Sequence, residues 1–138
     1  MKDRQEIIKV LAEKVMGWAW YEEEYITGNA VSHEFCYTGS NGELLAYAKQ
    51  NNFSHGVFDP FLSADDTLDL IKALNNPTGD GMPMCVAVAQ DCGVEYHTPA
   101  GVWRAWVRRE HDGIEVGQSL EGSFGEAVVM AIYEAVTK

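Results

Sequence analysis

A chain of 138 residues with 46% hydrophobic and 11% aromatic content has enough apolar area for one cooperative core, which excludes a largely disordered segment. Its formal charge of -11, from 21 acidic against 10 basic residues, excludes general attraction to DNA, RNA or anionic lipid, because counterion release needs a cationic surface. Cys36, Cys85 and Cys92 make an odd set beside a start at Met1-Lys2-Asp3, and no apolar run reaches signal-peptide or membrane-span length, so a reducing, cytoplasmic setting without a membrane is expected.

Ile7, Ile8, Leu11, Val15 and Trp18 recur at three- and four-residue spacing, so the spacing predicts a helix from Asp3 to Trp18. Asp3 and Glu6 suggest a capping box and Gly17 a stop. Trp18, Trp20 and Tyr21 then cluster, either as core packing at one end or as an exposed docking patch. From about residue 21 to 60 the periodicity fades, and an irregular insertion is expected within one domain spanning 1-138. Within it Glu34-Phe35-Cys36-Tyr37 reads as a short strand, Gly39-Ser40-Asn41-Gly42 as a turn, and Glu43 to Lys49 as a strand or a helical turn.

Ser63 is a helix N-cap, Asp65 and Asp66 suit the first turn, and Leu68, Ile71 and Leu74 form a stripe along one face before Asn75-Asn76-Pro77 ends the helix. Met84, Val86 and Val88 alternate with Cys85, Ala87 and Ala89 as a mostly buried strand. Turns at Asp91-Cys92-Gly93, Thr98-Pro99-Ala100-Gly101 and His111-Asp112-Gly113 separate further segments at Val94 to His97, Val102 to Glu110 and Ile114 to Val116. The expectation is an antiparallel meander of about four strands. Ser123 and Glu126 then open a closing helix that carries Ala127, Val128, Ile132 and Ala135. The fold class is therefore α+β, a helix/sheet/helix layered sandwich with an N-terminal, a middle and a C-terminal helix.

The chemistry-bearing residue types do not assemble into a catalytic motif. His33-Glu34 has Tyr37 where a zinc-protease helix needs its second histidine, and Gly39 to Glu43 lacks the Gly-Lys-Ser/Thr sequel of a phosphate loop. No Gly-x-Ser-x-Gly elbow is present. Cys85, Cys92 and His97 are too loose a set for a metal, and Asp65-Asp66 is explained by the helix dipole. No catalytic residue, metal or cofactor is expected.

The most pointed segment is Val102-Trp103-Arg104-Ala105-Trp106-Val107-Arg108-Arg109, which gathers three of the ten basic residues. On a strand Trp103, Ala105 and Val107 share one face, while Arg104, Trp106 and Arg108 share the other. An aromatic ring between guanidinium groups stacks a planar ligand and holds an anion, with Arg109, Tyr96 and His97 available to complete the site. The competing expectation covers both faces of the sheet, makes Trp106 core and pairs the arginines with surface glutamates.

The helix ending Leu11-Ala12-Glu13-Lys14-Val15-Met16-Gly17-Trp18, the Phe58-Asp59-Pro60 approach to the Ser63 helix and the closing helix from Ala127 to Val136 resemble the phage ABA sandwich domain family. Those are small bacteriophage and prophage proteins of helix, sheet and helix layers, most without an assigned biochemical role. The stretch before Phe58 and the extra Phe61-Leu62 depart from the family's shorter form. The resemblance implies phage origin and an accessory function, and with no catalytic motif in the chain the leading expectation is a non-enzymatic protein acting in counter-defence. It would inhibit or sequester a bacterial defence protein or, alternatively, that system's nucleotide signal, and would work as a homo-oligomer. A virion structural protein and a small metal-dependent hydrolase built on Asp65 and Asp66 are the remaining alternatives.

Overall fold

The computed structural model describes residues 3–48, 56–77, 81–90 and 101–137. The chain divides into two compact units, Met1–Asp59 and Pro60–Lys138. The described residues contain three helices and two three-stranded antiparallel sheets, so the fold is α+β.

In the first unit α1 (Arg4–Lys14) starts at Asp3, whose carboxylate accepts the Gln5 amide at 3.2 Å. It buries Ile7, Ile8, Leu11 and Ala12. The helix stops a turn short of Trp18, because the Trp18 amide turns back to the Ala12 carbonyl at 2.9 Å and Gly17 takes a φ of 73°. Three strands follow in the order β1 (Ala19–Thr27), β2 (Ala30–Thr38) and β3 (Leu44–Tyr47). Pairing runs from Ala19 opposite Thr38 to Thr27 opposite Ala30, leaving Gly28-Asn29 as a two-residue turn with Gly28 at φ 64°.

The stretch that sequence marks as irregular thus carries a long hairpin. Glu22-Glu23-Glu24 has poor strand propensity and hides the alternation, while cross-strand pairing overrides it. Tyr47 also bridges Val57 in parallel, which brings buried Phe58 alongside Cys36, Tyr37, Ala46 and Ala48 in the core of this unit.

In the second unit α2 (Ala64–Asn75) starts at Ser63, whose hydroxyl accepts the Asp66 amide at 3.3 Å. It buries Thr67, Leu70 and Leu74, not the Leu68, Ile71 and Leu74 stripe expected from sequence, and leaves Leu68 46% exposed. The difference has a local cause. The Thr67 hydroxyl donates to the Pro60 carbonyl at 2.6 Å, so a polar side chain enters the core with its hydrogen bond made. Strands β4 (Met84–Gln90), β5 (Trp103–Arg109) and β6 (Glu115–Glu121) form a meander with β5 central, and α3 (Phe124–Thr137) closes the chain. The Val94 to His97 strand of the expected meander lies outside the described residues.

Helix α3 buries Ala127, Val128, Val129, Ala131, Ile132 and Ala135 against the face of the sheet that carries Ala105 and Val107. Gly117 of β6 permits that approach, since a Cβ there would collide with the Ala131 carbonyl oxygen and lie 2.9 Å from the Ala135 amide nitrogen. Each buried branched side chain in this layer contributes roughly 1.5–3 kcal/mol relative to exposure. No helix among the described residues is long and apolar enough to cross a membrane.

Candidate binding face

One face of β4-β5-β6 lies against α3, and the burial along β5 alternates accordingly. Ala105 and Val107 are fully buried, Arg104 and Trp106 are half-buried, and Arg108 is exposed. Successive residues on one face of a strand are about 7 Å apart, so the Trp106 indole has a guanidinium-bearing neighbour at that spacing on each side. Trp103, on the helix-facing side, packs edge-on against Phe124 with centroids 5.6 Å apart.

The strands beside β5 shape the space around the indole. On β4, Ala89, Ala87 and Cys85 stand opposite Arg104, Trp106 and Arg108, and all three are exposed. They form a shelf of small side chains on the strand beside Trp106. This corrects the expectation that β4 is mostly buried, because only Met84, Val86 and Val88 turn toward the helices. On β6, Leu120 and Gln118 stand opposite Arg104 and Trp106, and Leu120 is 47% exposed. Glu115 faces Arg108 across a bulge at Val107 and Arg108. Among the described residues the outer face thus carries an aromatic centre, two cations and an apolar flank, with no helix against it.

Arg109 does not join it. Strand alternation turns it to the other face, where its guanidinium grips Asp112 through Nη2 at 2.8 Å and Nε at 3.3 Å. The Asp112 carboxylate also accepts the Ile114 amide at 3.0 Å. That hydrogen bond, with Arg109 and His111 beside it, holds the carboxyl below its usual range. This is a turn lock, and it sets Arg109 apart from Arg104, Trp106 and Arg108. Tyr96, His97 and Cys92 lie outside the described residues.

Trp18 and Trp20 belong to the first unit and pack in an aromatic cluster. Trp18 meets Phe58 edge-on at 4.9 Å and Tyr37 at 5.9 Å, while Trp20 stacks on Phe35 at 5.1 Å beneath the Lys9 ammonium. Both are half-buried, and Tyr21 is exposed.

Sequence alternation placed Arg104, Trp106 and Arg108 on one face, but it did not reveal the shelf, because Cys85, Ala87 and Ala89 are as compatible with a core as with an open surface. A second concavity of about 390 Å³ opens between the starts of α2 and α3, lined by Phe61, Leu62, Phe124 and Glu126 among others. Its signal in the sequence is Gly125, where a Cβ would strike the Phe61 and Pro60 carbonyls. The capping hydroxyls of Ser63 and Ser123 there are engaged by the Asp66 and Glu126 amides. Among the described residues no three His, Cys, Asp or Glu side chains group as metal ligands.

The arrangement around Trp106 suits contact. It can stack a planar group and grip a carboxylate or phosphate through paired donors. No family model, curated protein or solved structure matches this chain.

Proposed function

We propose that this is a non-enzymatic phage accessory protein that acts in counter-defence by binding a component of bacterial immunity, a host protein ahead of a nucleotide signal. The observation that carries the reading is the open outer face of β4-β5-β6, where Trp106 stands between Arg104 and Arg108 beside a shelf of small side chains. A half-buried tryptophan flanked by arginines has the composition of a binding hot spot. The resemblance to the phage ABA sandwich domain family supplies the biological setting and rests on the residues quoted for it. The overall charge of -11 favours a protein over a free polyanion as the partner.

The nucleotide reading draws on the same three side chains, since an indole stacks a base while guanidiniums hold its phosphates. Exposed Leu62 and Leu68 offer a surface for self-association, so we infer a homo-oligomer acting in the cytoplasm of the infected host. The test is phage plating on bacteria that carry an active defence system. Expression of the protein raises plating efficiency on those hosts and leaves defence-free hosts unchanged, and Arg104→Ala with Trp106→Ala abolishes the gain. No gain on any defence-positive host removes the proposal.

A further inference from the structure

The hairpin of the first unit is longer than the sheet it belongs to. Among the described residues β3 pairs only with Cys36, Tyr37 and Thr38 at the base of β2, so from Glu23 opposite Glu34 to Thr27 opposite Ala30 the hairpin continues, among those residues, as a two-stranded ribbon. That ribbon extends about 17 Å at ordinary strand rise. Two-stranded ribbons are marginal in water without a third strand or a covering layer. Strand β1 lies at the end of the sheet order, so one side of its backbone has no strand partner among the described residues.

Glu22, Glu24 and Ile26 fall on one face of β1, with Phe35, His33 and Val31 opposite them. Glu22 and Glu24 are exposed, Ile26 is 73% exposed and Val31 is 52% exposed. Between Tyr21 and Glu34 the sequence has four glutamates and no lysine or arginine. The His33 imidazole lies 2.8 Å from Glu22. Charge on an edge strand also deters unrelated chains from adding to it. That role calls for no uncovered Ile26-Val31 pair at the tip.

We propose that the β1 edge is a strand-addition surface for a basic extended segment of another protein. The incoming strand completes the ribbon through main-chain hydrogen bonds, sets lysine or arginine against Glu22 and Glu24, and seats an apolar side chain on Ile26 and Val31. For a strand that runs parallel to β1, period-two alternation makes the required pattern basic, any, basic, any, apolar. A second copy of this chain does not fit, since antiparallel self-pairing about Glu23 sets Glu22 against Glu24 of the other copy.

The probe is a short blocked peptide that alternates lysine with threonine and ends in valine, and its control replaces each lysine with glutamate. Hydrogen exchange of the β1 amides slows with the lysine peptide and not with the control. Glu22→Gln with Glu24→Gln weakens binding about tenfold, and added salt weakens binding to the wild type more than to this variant. Trp106→Ala leaves this binding unchanged, so failure here and failure of the Trp106 face are read separately. Equal binding of the two peptides, or no slowing in β1, overturns the proposal. A dimer in sedimentation that strengthens in the glutamine variant also overturns it, because a second copy then occupies the edge.

Discussion

The Tyr37 hydroxyl is buried inside the ring cluster of Trp18, Trp20 and Phe58, with no hydrogen-bond partner among the described residues. Burial, with the Glu13 charge adding to it, pushes its pKa up to about 12 from 10.0. The unfolded chain therefore releases this proton at lower pH than the folded one. Stability is unaffected by the group below pH 10.0 and declines as pH climbs toward about 12. A shift of that size corresponds to roughly 2–3 kcal/mol. Tyr37→Phe keeps the ring packing and removes the unpaired hydroxyl, so it is expected to be neutral or up to about 1 kcal/mol more stable at pH 7. It should also lack the alkaline decline attributable to this residue, and denaturant melts of both proteins across that range measure the difference.

Among the elements, the contact between α3 and β6 is the least forgiving, because Gly117, Ala131 and Ala135 bring helix and strand backbones close together. Gly117→Ala forces that layer apart and is expected to cost roughly 2–3 kcal/mol, seen as a lower denaturation midpoint at unchanged slope. The sequence announced α3 through Ser123, Glu126 and its apolar spacing, and announced both ends of α2 through Ser63 and Asn76. The buried face of α2 was not legible, because Thr67 enters the core with its hydroxyl donated to the Pro60 and Ser63 carbonyls, and Pro60 is a partner that no helical period reveals. The β1-β2 hairpin was missed for a different reason. Its turn is the pair Gly28-Asn29, yet the Glu22-Glu23-Glu24 run beside it reads as a solvated loop until pairing with β2 is known.

At the scale of the molecule, two compact units each set helix against antiparallel sheet, and the second leaves an open face. Alternation within Val102 to Arg109 made Arg104, Trp106 and Arg108 legible as one group. Whether a helix covered them depended on α3 packing on the Val107 side, a tertiary choice that strand periodicity does not encode. The same choice separates two neighbouring substitutions. Val107→Ala opens a cavity in the core and should cost about 2 kcal/mol, whereas Trp106→Ala on the open face should cost less than that and remain folded, as thermal melts would show.

That difference makes Trp106→Ala the sharpest probe of the central claim. Wild-type protein and the variant are recovered from lysate of defence-positive bacteria, and the proteins and small molecules each retains are identified by mass spectrometry. The account predicts a specific host protein or nucleotide retained by the wild type and lost from the folded variant. Retention of the same molecules by both would contradict it.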